Sequence, residues 1–195
     1  MVRETSMKNK TQKMILVALF AALTAAGAFV KIPVGPAPIT LQFFFTALSG
    51  ILLGPYLGSL SQLIYVVSGL VGIPVFTAGG GFSYIFNPGF GYLIGFIFAP
   101  ILIGKITYSV KTPTFVRTFL GCMAGILIIY AIGVPYMYMI LKVVTHTDIT
   151  FLKTLAVGFL VFLPGDTLKS IIIAYLGKRL IPIVRKSNSI GVHNG

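Results

Sequence analysis

The stretch that decides the fold is MILVALFAALTAAGAFV, residues 14–30, seventeen residues without a single charge. A helix needs about 20 residues to cross roughly 30 Å of hydrocarbon, fewer where the bilayer thins. Arg3, Lys8, Lys10 and Lys13 precede it, and Ala26-Gly27-Ala28 near its end has the small-x-small spacing of a signal-peptidase site. More apolar runs follow, so the segment is predicted to be an uncleaved first transmembrane helix rather than a leader. Over the 195 residues, 56% are apolar and only 9% charged, where a soluble domain carries about a quarter. So few polar groups cannot cover a water-facing surface, and the solvent must be lipid.

The same reading continues along the chain. Lys31 and the proline-rich 33–38 stretch stop the first run. Further spans are predicted at about 40–53, ending at Gly54-Pro55, at 56–71, at 89–106 and at 118–141. The last stretch, from Asp148 to Pro182, would be about 50 Å long as one helix at 1.5 Å per residue. Pro164-Gly165 interrupts it, which predicts a short outer or re-entrant helix at 150–162 and a spanning helix from Asp166 to about Leu180. Irregular backbone at membrane depth is tolerated only where protein buries it or a cavity is lined by it, so this break points to a pocket. The expectation is an all-α membrane protein with six transmembrane helices and irregular outer loops over a binding pocket. Residues 14–182 form the membrane domain, with tails at 1–13 and 183–195.

Charge sets the orientation. Fifteen Lys and Arg stand against Glu4, Asp148 and Asp166, a net charge of +12. Arg3, Lys8, Lys10, Lys13, Lys105, Lys111, Arg117, Lys178, Arg179, Arg185 and Lys186 collect on one side of the predicted spans, against Lys31, Lys142 and Lys153 on the other. Basic residues favour the cytoplasm, which places both termini there. This topology accounts for the basic excess without nucleic acid. A single cysteine, Cys122, gives neither a disulfide framework nor a metal cluster. His146 and His193 lie in a polar loop and tail, and neither HExxH nor GxSxG occurs. GxxxxGK[ST] is absent too, so no ATP hydrolysis is expected of this chain, and neither metal nor cofactor is implied.

Asp166 and Lys169 are the chief candidates for chemistry. Each charge at a helix centre costs roughly 2.5–3.5 kcal/mol on insertion scales, and at i and i+3 the two share a face. The bland reading is an ion pair that fixes packing; the sharper one is a ligand or ion site, the usual role of intramembrane charges. Asp166 after Pro-Gly also has the position of a helix N-cap. The uncharged loop before the fourth span holds Gly79, Gly80 and Gly81 among Phe76, Phe82, Tyr84, Phe86, Asn87 and Tyr92. Its glycines allow close backbone approach to a ligand, or simply a flexible loop. Ala18, Ala22 and Ala26 recur every four residues on the first helix. They form a flat face suited to a partner helix or to packing within the bundle. No internal repeat is visible, which counts against an inverted-repeat transporter.

Several segments together resemble one family. They are KIPVGPAPITLQ (31–42), GIPVF (72–76) with the glycine run, GYLIGF (91–96) and FLPGDTLK (162–169). These look like the hallmarks of BioY, the biotin-binding S component of energy-coupling-factor transporters, and the likeness runs from about Ala18 to Leu180. The stretch NPGF at 87–90 departs from the family's pattern, and the glycine run is short. The resemblance implies biotin capture in an outer pocket and no motor of its own. It also implies docking on a membrane coupling subunit of the EcfT type that carries two cytoplasmic ATPases. By carry-over Asp166 and Lys169 would meet the polar ends of biotin, with Asn87, Tyr92, Phe76 and the glycines 79–81 nearby. A physical reading puts the carboxylate at Lys169 and the ureido N–H groups at Asp166. Ala18, Ala22 and Ala26 would form the docking face. The rival expectations are an S component for another vitamin and a solo ion-coupled transporter.

Overall fold

The computed structural model describes residues 10–110 and 112–189, and side chains up to residue 182. Arg3, Lys8, Lys111 and His193 lie outside the described residues, as do the side chains of Arg185 and Lys186. The elements follow the hydropathy closely. They are α1 (Lys10–Phe29), α2 (Gln42–Leu53), α3 (Pro55–Leu70), α4 (Phe90–Tyr108), α5 (Phe115–Val143), α6 (Phe151–Leu155) and α7 (Leu163–Ser189). A π-helical stretch, Ala156–Leu160, extends α6, and a 3-10 turn, Phe82–Phe86, precedes α4. Both predicted tails are partly helical, since α1 begins at Lys10 and α7 runs to Ser189.

Six of these helices pack into one bundle, but they are unequal. The segments Lys10–Phe29, Phe90–Tyr108, Phe115–Val143 and Phe151–Pro182 are long and apolar enough to cross a membrane. The 12-residue α2 reaches only about 18 Å at 1.5 Å per residue. It is buried on nearly all sides and turns at once into α3 through Gly54, whose φ is +89°. Small residues let these backbones close up. A Cβ on Gly50 would come within 2.9 Å of Pro100 in α4, and one on Gly58 within 2.9 Å of Gly50. The glycines spaced by four in α2 and α3 therefore serve packing inside the chain.

Polar side chains stitch the α1–α2–α3 interior. Gln62 is fully buried and donates to Thr24 at 3.1 Å, while Thr46 donates to its carbonyl oxygen at 3.0 Å. In hydrocarbon such groups must find partners within the protein, and these do.

The connections divide by end. At one end lie the tight turn at Gly54-Pro55 and the turn before Phe115, where the Arg117 guanidinium donates to the Ile106 carbonyl at 2.8 Å. At the other end lie three longer connections: residues 30–41, 71–89 and 144–162. The first is clasped by a short hairpin, β1 (Lys31–Ile32) against β2 (Ile39–Thr40), antiparallel with Lys31 opposite Thr40. Among the described residues, the three long irregular connections gather at this end.

Candidate functional site

The end carrying the long connections holds a cavity with about 600 Å³ of atom-free space, counting the part open to solvent. Its apolar walls come from Phe43, Leu93, Phe96, Ile129 and Phe162, and the 30–41 connection adds Ala37 and Pro38. The polar residues in its lining are Thr40, Gln42, Thr77, Tyr84, Tyr130, Asp166 and Lys169. A mostly apolar surface with a few convergent polar groups is the usual form of a ligand pocket.

Asp166 and Lys169 form a salt bridge through Asp166 Oδ1, with side chains 12% and 13% exposed. Tyr130 in α5 donates to the other carboxylate oxygen, Oδ2, at 2.5 Å. The lysine ammonium also donates to the Thr40 carbonyl at 2.8 Å, so it ties α7 to the hairpin. Three elements thus converge on one carboxylate–ammonium head whose net charge is zero. The head groups of Asp166 and Lys169 are in contact and present a single polar surface to the cavity. Two widely separated ends of one ligand could divide this pair only if it broke.

The expected N-cap role of Asp166 does not hold. The helix starts at Leu163, and the Asp166 N–H already donates to the Phe162 carbonyl at 3.0 Å, inside the first turn. An acidic group there still gains from the positive end of the helix dipole.

Other expected site residues divide. Tyr92 lines the cavity, but its hydroxyl turns away and donates to the Gly158 carbonyl in the π-helical stretch at 2.8 Å. Its ring is what it offers a ligand. Asn87 stands off the cavity wall, and its carbonyl oxygen accepts from the N–H of Gly89 at 2.8 Å, shaping the turn that brings Gly89 to the wall. Phe76 is buried beneath the loop, edge-on to Tyr65 at 5.5 Å and tilted against Tyr84 at 4.5 Å. It sits on Gly69, where a Cβ would come within 2.0 Å of its ring. Gly79 and Gly81 take φ of +107° and +105°, values only glycine adopts without strain. They fold the loop back on itself: Phe76 and Gly79 exchange backbone hydrogen bonds, and Gly81 N–H donates to Gly69 O at 2.7 Å. Gly80 presses against the Ile73 carbonyl. The glycine run thus builds the lid and does not line the cavity.

That lid, residues 71–89, is pinned at several points. Tyr65 donates to the Val75 carbonyl at 3.1 Å, Lys31 to the Thr77 carbonyl at 2.5 Å, and Tyr136 to the Ile85 carbonyl. Thr77 and Tyr84 share a hydroxyl hydrogen bond at 2.8 Å, and burial pushes the Tyr84 hydroxyl above its ordinary value near 10.

Sequence reasoning missed Tyr130, Thr40, Gln42, Thr77 and Tyr84 as pocket groups. Tyr130 and Gln42 carried a faint signal, as polar groups within apolar helical runs. Thr40 receives Lys169 on its backbone carbonyl, a group that every residue carries.

The α1 face also has a place in the structure. Val17, Phe20, Ala21, Thr24, Gly27 and Ala28 turn inward, while Ala18, Ala22 and Ala26 lie exposed with Ile15, Leu19 and Phe29. The small-residue stripe is not used in packing this chain.

Fold and site together define a multi-pass helical membrane protein with a partly polar cavity at one end of the bundle. The chain belongs to the BioY family, whose model matches residues 3–186. It is 42% identical over 183 residues to a protein of Lysinibacillus sphaericus described as a probable biotin transporter BioY, covering 94% of this chain and 93% of that one. It is 38% identical over 170 residues to the biotin transporter BioY of Thermotoga maritima, covering 87% and 95% of the two chains. Among solved structures it resembles the crystal structure of the S component for biotin from an ECF-type ABC transporter. That match has a TM-score of 0.68 and 29% identity, and covers 90% of this chain and 94% of that chain.

Proposed function

We propose that this chain is the biotin-capturing S component of an ECF-type transporter. The observation that carries the reading is the polar head of Asp166, Lys169 and Tyr130 set in an apolar pocket, in a chain of the BioY family. A molecule with a polar bicycle and an aliphatic tail suits such a surface, since the polar groups fix orientation and the walls bury the rest. Asp166 and Lys169 contact biotin directly, and Tyr92 packs its ring on it. Phe76 and glycines 79–81 act one step removed, by shaping the lid, as Asn87 does by shaping the turn at Gly89.

In this reading all six bundle helices lie in the membrane, with the short α2 held inside the protein. The pocket end faces outward and both termini lie in the cytoplasm. The distribution of basic residues supports this, because Lys105, Arg117, Lys178 and Arg179 gather at the end opposite the pocket. The chain is no enzyme. A membrane coupling subunit carrying two cytoplasmic ATPases supplies the energy, and the exposed Ala18–Ala22–Ala26 stripe is its docking face.

The test is calorimetric titration of biotin into the purified chain alone, in detergent or nanodiscs. One-to-one binding that survives removal of every other subunit is expected. A folded, monodisperse chain that takes up no biotin would overturn the reading.

A further inference from the structure

The lid, residues 71–89, carries no charged residue. Its large exposed side chains are apolar: Phe82 is 70% and Phe86 55% exposed, with Val71 and Ile73 exposed beside them. Over water, such a patch on a loop calls for a partner. The lengths of the helices say which. Gly104 packs against Pro55, so the α2–α3 turn lies level with Lys105, at the basic end of the bundle. From that turn the 16 residues of α3 rise only about 24 Å at 1.5 Å per residue, short of the roughly 30 Å of hydrocarbon. The lid begins where α3 stops, below the outer edge of the bilayer. On the other side α5 has 29 residues and spans about 43 Å. Its far end bears Lys142, and the connection after it bears His146 and Asp148. The outer end of the bundle is therefore stepped, with a low apolar side and a high polar side.

The lid's backbone fits the same surroundings. Hydrocarbon offers no hydrogen bonds, so irregular backbone placed there must be satisfied by protein. Three lid carbonyls outside its own turns accept from long side chains: Val75 from Tyr65, Thr77 from Lys31 and Ile85 from Tyr136. A loop washed by water would not need them. The exposed surface is also continuous with the lipid-facing side of α3, where Leu63 and Val67 lie exposed at the four-residue spacing that Val71 continues. We propose that the lid is a membrane-contacting surface, with Val71, Ile73, Phe82 and Phe86 resting against acyl chains of the outer leaflet while the side at the end of α5 faces water. The inference rests on the placement of the bundle in the bilayer proposed above and adds to it what covers the lid.

The chain contains no tryptophan, so one introduced residue reports on its own surroundings. Phe82→Trp, Phe86→Trp, Leu63→Trp and Val144→Trp, all at exposed positions, are reconstituted as full chains in phosphatidylcholine nanodiscs. Emission is compared with and without lipid brominated in its acyl chains, and with and without aqueous iodide. Phe82→Trp and Phe86→Trp are expected to lose emission to brominated chains as Leu63→Trp does, and to resist iodide. Val144→Trp is expected to show the reverse. Either lid variant alone suffices should the other fail to reconstitute. Iodide quenching at the lid equal to that at Val144→Trp overturns the proposal. Lipid quenching at Val144→Trp that matches the lid overturns it too, because the step between the two sides is then absent. If Leu63→Trp escapes the brominated chains, the membrane placement of the bundle falls and this inference with it. If Leu63→Trp is quenched by them and the lid positions are not, this inference falls alone.

Discussion

Removing the Lys169 ammonium separates a ligand-binding ion pair from one that only fixes packing. In Lys169→Met, Asp166 keeps its hydrogen bond from Tyr130 and loses its counter-charge, while Thr40 loses the donor on its carbonyl. Both side chains are only about one-eighth exposed. Deleting one partner of a buried pair costs about 3–5 kcal/mol, and the surviving Tyr130 bond puts this site at the low end, about 3 kcal/mol. Asp166→Asn added to Lys169→Met removes the stranded charge and should restore most of that stability. Binding behaves differently. Each lost charge-assisted hydrogen bond to a ligand is worth about 1.5–3 kcal/mol, a factor of about 10–150 in Kd, and the double variant recovers none of it. Unfolding can be followed through labelling of Cys122, the sole cysteine and a buried one, and binding by biotin titration. The reasoning is refuted if Lys169→Met binds biotin within about threefold of the wild type. Recovery of binding together with stability in the double variant would refute it equally.

Gly69→Ala drives a methyl group to within 2.0 Å of the Phe76 ring, so overpacking of about 1–3 kcal/mol or more is expected, seen as a lowered melting temperature and faster biotin release as the lid lifts. Tyr92→Phe keeps the ring on the pocket and loses the bond to Gly158, so stability should fall by about 0.5–1.5 kcal/mol in denaturant titration while biotin affinity changes by less than about threefold. Ala22→Trp fills the exposed stripe of α1, so biotin binding by the isolated chain should persist while pull-down of the coupling module is lost.

The helices were legible because lipid imposes a strong rule. Apolar runs without charge must be helical, and Gly-Pro pairs mark where they turn. The sequence also exposed Asp166 and Lys169, since charge inside an apolar run is conspicuous, and their i, i+3 spacing told that they would touch. What stayed hidden had no such contrast. The short reach of α2 was legible in its stop at Gly54-Pro55, but its burial between α1, α3, α4 and α7 was not, because hydropathy does not count neighbours. Asp166 reads as a cap because Pro164-Gly165 looks like a break, yet proline is welcome in a first helical turn and α7 begins before it. Thr40 serves Lys169 through backbone, which every residue carries.

The glycine run misled for an instructive reason. Glycine permits close backbone approach to a ligand and equally to the chain's own backbone, and composition does not separate the two. Here Gly79 and Gly81 provide positive φ and Gly80 provides space against Ile73, so the loop folds tightly over Phe76. Phe76 in turn supports Tyr65 and Tyr84. Tyr84 lines the cavity, and Tyr65 holds both Gln42 and the Val75 carbonyl. The glycines therefore reach the pocket through two aromatic side chains, and a substitution there should disturb the lid and the Gln42 amide together. The lid and the polar side of the pocket are one packed unit. It is anchored at Gly69 by the close fit of Phe76 and at Thr40 by the Lys169 ammonium. A ligand that draws Lys169 from Thr40 thus pulls on the residue that positions Gln42, and through Tyr65 on the loop that covers it.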